Sequence, residues 1–349
     1  MKTVKIIKGW KLKKVVFTVM IFTVCLEFFI SGCATVKVPI PVTHPAEINM
    51  NAYKTIAVSH IDGPIGSEVS DGIKERLVEG NRFKVIDPAY LNQILDNLHM
   101  SGSDLFDQDK RVSLGKLLPA TVLIVGHTKA DNNEKHFHEA STCSQSYNCG
   151  DQICYRSVPC TLYWCETTVH AYAGLEVIDV STGSLLRSKQ LPYTKVVDSQ
   201  KITEGMPACP DASSVVGGGT NYIVSTFIKS IQPWTEMVSV PFLKDGDIPE
   251  LETGIKYATA GQMDEANKQF SSAVKNAENN PKLKPSVIAR AYWDLGLSYE
   301  YSDQFDNAIE SFKSAFKYDS SEDKYLKEEN HVKARKKEYE KLQEQQSEK

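Results

Sequence analysis

One spacing pattern occurs twice in the last third of the chain, and it constrains the fold more than any other feature of the sequence. A glycine is followed by a tyrosine, an alanine, a phenylalanine and a second alanine at offsets of 3, 12, 16 and 19 residues. The two sets are Gly254, Tyr257, Ala266, Phe270 and Ala273, and then Gly296, Tyr299, Ala308, Phe312 and Ala315. Small residues let two helices approach closely, and the aromatic side chains fill the space between them. The pattern therefore predicts two antiparallel helical hairpins.

These positions resemble the tetratricopeptide (TPR) repeat, in which L-G-x-x-Y is followed by A-x-x-x-F and a further alanine. Leu295 supplies the leucine of the second unit. Both units lack the terminal proline, and they lie 42 residues apart, whereas the family period is about 34 residues. The resemblance implies two TPR repeats over 249–319, with an insertion at 276–286. A charged capping helix and tail are expected over 320–349, and an unrelated pair of helical hairpins is the alternative.

The N-terminus has the pattern of an export signal. Six lysines precede an apolar run over 15–26, which is short for a helix that spans a bilayer. Ile30-Ser31-Gly32-Cys33 follows, and a basic start, a short apolar run and small residues are typical of a signal peptide. A cysteine after the small residues resembles a bacterial lipobox. The resemblance implies that residues 1–32 are removed as a lipoprotein signal peptide and that Cys33 carries diacylglycerol and an N-acyl chain. A plain signal anchor is the alternative.

The residues after Cys33 bear on localisation. Ala34, rather than aspartate, follows the cysteine, and similarity to enterobacterial sorting signals implies a lipid anchor on the periplasmic side of the outer membrane. Three prolines between residues 36 and 51 favour extended backbone. We therefore expect 33–51 to be a lipidated tether. Removal of 1–32 leaves 34 basic and 43 acidic residues, a net charge of −9, so no basic excess supports nucleic-acid binding.

Six further cysteines are typical of an oxidising compartment, and five of them fall within 143–165. They are Cys143, Cys149, Cys154, Cys160, Cys165 and Cys209. An even, clustered set in an exported chain favours disulfides, although six cysteines allow 15 connectivities and the sequence does not choose among them. A metal site that uses His136 and His138 with this cluster is the alternative. It is the weaker one because no C-x-x-C pair is present.

The middle of the chain alternates between strand and helix patterns. Strands are predicted at 55–58, 83–85, 122–125, 169–177, 185–197 and 236–242, and helices near 69–77, 88–98, 114–118 and 221–231. A glycine-rich segment at 215–219 lacks the lysine and spacing of a phosphate loop and is interpreted as a flexible start to the last helix. The expected class is α+β: an α/β domain over 52–242, with a mixed sheet flanked by helices and a cysteine-rich insertion at 129–168, followed by an all-α domain.

Several of these segments resemble a family of envelope lipoproteins. Tyr53-Lys-Thr-Ile-Ala-Val-Ser59, Arg82-Phe-Lys-Val-Ile-Asp87, 114–126 and Leu175-Glu-Val-Ile-Asp-Val-Ser-Thr-Gly-Ser-Leu-Leu186 are similar to the periplasmic domain of the curli-secretion lipoprotein (CsgG) family. The peptidoglycan-synthase activator (LpoB-like) lipoproteins share a related domain. The resemblance implies a role in envelope assembly and supplies no catalytic residue, cofactor or metal ligand.

We expect a binding protein rather than an enzyme, because the sequence has no G-x-S-x-G, H-E-x-x-H or phosphate-loop motif. The leading hypothesis is a lipid-anchored, periplasm-facing adaptor that binds an envelope or secretion partner through its α/β domain and TPR groove; the sequence allows a homo-oligomer. One alternative is a subunit of a curli-type secretion channel, disfavoured because neither 129–168 nor 190–214 shows an alternating strand hairpin. The other is an activator of a peptidoglycan synthase.

Overall fold

The computed structural model describes residues 35–86, 88–101, 104–105, 107–118 and 121–347. The predicted signal peptide and Cys33 lie outside these residues, so the structure leaves the lipidation prediction untested. The elements in chain order are β1 (Thr35–His44), β2 (Thr55–Asp62), α1 (Gly66–Glu79), β3 (Lys84–Val85), α2 (Pro88–Asn97), α3 (Gln108–Gly115), β4 (Thr121–Asn148), β5 (Ile153–Asp179), β6 (Ser184–Asp198), α4 (Ala212–Ile231), β7 (Trp234–Leu243), α5 (Pro249–Thr259), α6 (Met263–Glu278), α7 (Pro285–Glu300), α8 (Phe305–Tyr318) and α9 (Lys324–Ser347).

The chain divides into two compact units. Of the described residues, the helical unit comprises 35–44 and 235–343, and the sheet unit comprises 45–234 and 344–347. Each unit is therefore built from separate stretches of the chain. The combination of helices with a mixed sheet confirms the α+β class, whereas the identity of the helical hairpins as TPR repeats stays a prediction.

A five-stranded mixed sheet forms the centre of the sheet unit. Its strand order is β3-β2-β4-β5-β6; β2 runs parallel to β3 and β4, and β5 runs antiparallel to β4 and β6. Successive side chains of a strand point to opposite faces, so β2 contributes side chains to the core on each face of the sheet. Ile56 and Val58 pack with α1 and α4, while Ala57 packs with α2 and α3. Helices thus cover both faces of this part of the sheet.

The glycine-rich segment 215–219 lies inside α4, which differs from the flexible start predicted from the sequence. The helix begins earlier because the Asp211 carboxylate accepts a hydrogen bond from the backbone N–H of Ser213 at 3.1 Å, a normal N-cap. A Cβ at Gly219 would lie 2.7 Å from Tyr193 Cδ1. Glycine at this position therefore lets α4 pack closely against the sheet.

The helical unit contains the helices α5 to α8 and a two-stranded sheet of β1 and β7. The structure differs here from the predicted tether over 33–51 and from the predicted boundary of the α/β domain at 242. Strand β1 buries Val38 and Ile40, and β7 buries Val240 and Phe242, in the same core as the helices. Alternating apolar residues in 35–44 are hidden from solvent on one face, which explains why the segment is held as a strand despite its prolines.

The helices pair through the residues of the repeated pattern. Phe270 of α6 is fully buried, and its Cε1 is 2.6 Å from the place that a Cβ on Gly254 of α5 would occupy. Phe312 of α8 approaches Gly296 of α7 in the same way, at 2.7 Å. Each hairpin therefore requires a glycine opposite its phenylalanine.

The C-terminal segment forms α9, and its Tyr325 and Val332 are buried in the core of the helical unit. The Tyr325 ring packs edge-on against Trp293 of α7, with ring centroids 5.8 Å apart.

Among the described residues, no helix has both the length and the apolar character needed to cross a membrane.

Candidate binding site

The predicted cysteine-rich insertion, residues 129–168, is a long strand hairpin that we call the hairpin arm. Strands β4 and β5 pair without interruption from Val122 opposite Asp179 to Asn148 opposite Ile153. The sequence shows no alternating hairpin in 129–168, so this strand pair was not predicted. The reason is that most residues of the arm are exposed on both faces, so the hydrophobic alternation that marks a half-buried strand is missing.

Three disulfides involve the six clustered cysteines: Cys143–Cys160, Cys149–Cys154 and Cys165–Cys209. The first two join the strands of the arm at diagonal positions, because Cys143 stands opposite Val158 and Cys154 opposite Tyr147. Diagonal residues of an antiparallel pair share one face. The strand register, which the sequence does not reveal, thus selects one of the possible connectivities.

The base of the arm is fixed to the segment that follows β6. Cys165 and Ser199 exchange two hydrogen bonds, from Ser199 N to Cys165 O at 2.8 Å and from Cys165 N to Ser199 Oγ at 2.9 Å. Thr167 Oγ1 donates to Pro210 O at 2.9 Å. Together with the Cys165–Cys209 disulfide, these contacts hold the arm on the body of the sheet unit.

The middle of the arm is supported by aromatic and ionic contacts on one face. Phe137 and Trp164 stand opposite each other and stack with ring centroids 5.5 Å apart. Lys201 Nζ lies 4.2 Å from the centroid of the Trp164 ring and 2.6 Å from Glu139 Oε1. This lysine therefore links the aromatic pair to the segment after β6.

The tip of the arm exposes three large side chains. Tyr147, Ile153 and Tyr155 are 44%, 66% and 70% exposed. Ile153 lies within the turn that the Cys149–Cys154 disulfide closes, and Tyr147 and Tyr155 lie just outside it. Gly150 in this turn has a φ of +86°, a conformation that favours glycine. Tyr147 stands opposite Cys154 and shares its face of the arm, whereas Ile153 and Tyr155 point to the other face. We call these three exposed side chains, on both faces of the arm's end, the tip patch. Exposed aromatic and apolar side chains on a cross-linked turn are suited to protein binding.

The two histidines of the metal alternative have different surroundings. His136 stands opposite Cys165, and its Nε2 lies 3.7 Å from Cys209 Sγ and 3.3 Å from Pro207 O. His138 instead faces Tyr163, with ring centroids 6.2 Å apart. The structure therefore brings His136 together with two cysteines, and it places His138 outside that group.

The first helix of the first hairpin shares a buried core with strands β1 and β7, and the TPR groove stays a prediction. Leu251 and Ile255 of α5 are buried in a core that also contains residues of β1 and β7. Phe242 of β7 stacks on Phe270 with ring centroids 5.4 Å apart. The two strands thus cover part of the surface of the first hairpin.

Two acidic residues of α7, Asp294 and Glu300, are buried, and no pattern in the sequence predicted their burial. Asp294 accepts a hydrogen bond from Leu243 N at 2.9 Å, and burial raises its pKa well above its usual range. Glu300 is also inaccessible to solvent, and its Oε1 lies 3.1 Å from both Arg335 Nη1 and His331 Nδ1. One oxygen of each acid is thus held by a second element of the helical unit, while Asp294 Oδ2 and Glu300 Oε2 are buried without a hydrogen-bond partner.

The comparisons with known proteins leave the family open. No family model matches the chain, and no curated protein matches its sequence. Among solved structures, the C-terminal domain of LpoB from Salmonella enterica has a TM-score of 0.23 at 12% identity, covering 40% of this chain and 82% of that chain. A putative neuraminyllactose-binding hemagglutinin homolog from Helicobacter pylori has a TM-score of 0.28 at 8% identity, covering 54% and 89%. TM-scores this low do not establish a shared fold.

Proposed function

We propose that the protein is a lipid-anchored adaptor that faces the periplasm and binds a protein of the cell envelope through the tip patch of the hairpin arm. The tip patch carries this proposal. Tyrosine is enriched among the side chains that contribute most of the energy at protein interfaces, and the isoleucine adds exposed apolar area. The disulfide beside them reduces the conformational entropy that binding would cost.

We also propose that a lipid on Cys33 anchors the protein to the membrane. Strand β1 begins at Thr35, two residues after Cys33 in the sequence. An acyl chain on Cys33 would therefore hold the helical unit close to the membrane surface rather than at the end of a long tether. The helical hairpins, as proposed TPR repeats, would contribute to partner binding with the surface that β1 and β7 leave uncovered.

The proposal is tested by photo-crosslinking in intact cells. A photoreactive amino acid replaces Asp151, which lies in the turn at the tip, and a second strain carries it at exposed Glu134 near the base of the arm. We expect a discrete cross-linked product from position 151 only. Replacing Tyr147, Ile153 and Tyr155 by serine should abolish this product.

A matched control exchanges exposed apolar residues elsewhere. Leu185 and Met237 are 50% and 62% exposed, and replacing both with serine should leave the cross-linked product unchanged. Retention of the product in the tip-patch variant, or its loss in the control, would refute the role of the tip. A cross-linked peptidoglycan synthase would support the activator alternative. Ion conductance of the purified protein in planar bilayers would support the channel alternative.

A further inference from the structure

We propose that the base of the hairpin arm is a latent zinc site, formed by His136, Cys165 and Cys209 when the Cys165–Cys209 disulfide is reduced. Nε2 of the histidine and the two sulfur atoms lie within 4.8 Å of one another. Imidazole nitrogen and thiolate sulfur are the ligands that Zn²⁺ binds most readily in proteins. The site is distinct from the tip patch and does not depend on partner binding.

Two of the three ligands are positioned by the strand register. His136 of β4 and Cys165 of β5 are directly opposed, so their side chains share one face of the arm. The backbone hydrogen bonds between β4 and β5 do not depend on the disulfide. We therefore expect His136 and Cys165 to keep their relative positions when the sulfur–sulfur bond is broken.

The third ligand is held by contacts that also survive reduction. The backbone bridge between Tyr163 and Ile202 and the hydrogen bond from Thr167 Oγ1 to Pro210 O flank the segment that carries Cys209. The Cα atoms of Cys165 and Cys209 are 4.9 Å apart. A small rotation of the freed cysteine side chains is then enough to separate the sulfur atoms around an ion.

The distance between His136 Nε2 and Cys209 Sγ already suits the binding of both atoms to one zinc ion. Zinc–nitrogen and zinc–sulfur bonds of about 2.0 and 2.3 Å at a tetrahedral angle place nitrogen and sulfur about 3.5 Å apart. His136 Nε2 and Cys209 Sγ are 3.7 Å apart. Binding requires Nε2 to give up its contact with Pro207 O and to carry no proton, so the proton resides on Nδ1.

An approach for a cation exists beside Cys209. The open groove that this cysteine lines also contains the acidic residues Glu134 and Asp211. Their charge favours cations near the cysteine, and water can supply the fourth ligand, as it does in zinc sites with three protein ligands.

Reduction of the Cys165–Cys209 disulfide, which must precede zinc binding, requires a dithiol reductant. Thiol–disulfide exchange oxidises the dithiol to its own disulfide, breaks the bond between Cys165 and Cys209, and leaves two thiols on the protein. Zinc binding then displaces two protons from these thiols, because only thiolates are ligands. The oxidised protein has no thiolate at this position and should not bind zinc there.

The test is differential alkylation of the purified full-length protein. The protein is reduced without oxygen, freed of reductant, supplied with Zn²⁺ or EDTA, and exposed briefly to iodoacetamide before mass spectrometry. We expect zinc to protect Cys165 and Cys209 by more than about tenfold in rate, as a ligand thiolate is sequestered. The cysteines of the other two disulfides, Cys143, Cys149, Cys154 and Cys160, should react equally with and without zinc. Equal protection of all six, or of none, would overturn the proposal.

Metal titration gives a second, independent readout. A variant in which Cys143, Cys149, Cys154 and Cys160 are alanine retains only the proposed ligand cysteines of the cluster. Its reduced form should bind one Co²⁺ with the charge-transfer absorption of cobalt–thiolate coordination, and its oxidised form should show none. Circular dichroism of the same samples checks that the reduced variant is folded; if it is unfolded and zinc does not restore it, the proposal fails.

Matched histidine variants identify the third ligand. His136→Gln should weaken zinc binding by more than about tenfold, because loss even of a group that only supports a ligand costs 10–100-fold. His138→Gln, two residues away on the same face, should leave the affinity unchanged. Equal effects of the two substitutions, or no effect of His136→Gln, would overturn the assignment.

Discussion

The ring of Phe270 fills the space into which a side chain on Gly254 would project, since a Cβ there would lie 2.6 Å from Phe270 Cε1. The pair Phe312 and Gly296 repeats this relationship. A contact this short is not available to any residue with a Cβ. The glycine of each hairpin is therefore required by packing and not by backbone conformation.

Gly296→Ala should destabilise the helical unit. Alanine favours an isolated helix over glycine by about 1 kcal/mol, but the added methyl group would force Phe312 out of its position, at a cost of about 1–3 kcal/mol. Gly217→Ala in α4 is the control, because no atom lies within 4 Å of its Cβ position. It should be neutral or stabilise by about 0.4–1 kcal/mol. Urea denaturation measures both, and equal effects would contradict the packing argument.

Phe312→Ala should lower the free energy of unfolding by about 3–5 kcal/mol, because Phe312 is fully buried and its removal leaves a cavity. Leu326→Ala is the control, since Leu326 is 40% exposed. A surface change of this kind usually alters stability by less than about 0.5 kcal/mol. Chemical denaturation of both variants makes the comparison, and a small effect at Phe312 would contradict the described core.

The three disulfides should contribute to stability in the order of the loops that they close. Cys165–Cys209, Cys143–Cys160 and Cys149–Cys154 have sequence separations of 44, 17 and 5 residues. The chain-entropy model gives about 4, 3 and 2 kcal/mol for such loops. Replacing each pair by alanine and measuring denaturant unfolding tests the ranking.

Thiol titration and proteolysis complete this test. The six clustered cysteines of the unreduced protein should show no free thiol. Reduction should make residues 143–209 more sensitive to protease, because without the cross-links this region opens more often, although its backbone hydrogen bonds still form. Greater destabilisation by loss of the Cys149–Cys154 bond than by loss of Cys165–Cys209 would contradict the entropic ranking.

Stability of the helical unit should fall as the pH rises from about 6.5 to about 10. Hydrogen bonds from His331 to the carboxylates of Glu300 and Glu328 raise the pKa of His331 to about 10. Because the folded pKa is above the unfolded one, the stabilisation is complete below the unfolded pKa and is lost as pH rises through the folded pKa. Solvent screening reduces the size of this stabilisation, since half of the His331 side chain is exposed.

The variant His331→Gln should flatten this pH dependence in thermal unfolding measured between pH 6 and pH 10. Arg335, which shares Glu300 with His331, stays charged over the whole range and does not contribute to the slope. His60→Gln on β2, where the side chain is 76% exposed, is the control and should keep the slope of the original protein. An unchanged slope in His331→Gln would rule out this histidine as its source.

Cys33→Ala should release the protein from the membrane. The basic start, the short apolar run and the small residues before Cys33 motivate lipidation. Palmitate labelling and membrane fractionation measure the outcome. If the variant still takes label and still fractionates with outer membranes, the lipobox interpretation is wrong.

Local patterns in the sequence predicted those elements whose residues meet a core on one side. The spacing of Val69, Ile73 and Leu77 predicted a helix, and all three are buried in α1. The alternation over 169–177 predicted the inner part of β5, where the odd-numbered residues are buried. The glycine and phenylalanine offsets predicted the helical hairpins, since the same spacing must place both residues at one contact.

The sequence could not reveal the features that depend on distant partners. A strand near 236–242 was predicted, but only the structure shows that β7 pairs with β1 rather than with the larger sheet. The outer hairpin arm lacks alternation because water surrounds both of its faces. The convergence of His136, Cys165 and Cys209 depends on strand register and on the return of the chain after β6, neither of which is encoded by local spacing.

The pairing of β1 with β7 also sets an order of events during biosynthesis. Strand β1 leaves the ribosome early, and its partner follows only after residues 45–233 have been made. The main stretch of the sheet unit can therefore fold while β1 is still unpaired, whereas the helical unit must wait for β7 and the helices that follow it. Contacts between segments so far apart close slowly, so the backbone donors and acceptors of β1 stay unpaired until β7 has been made.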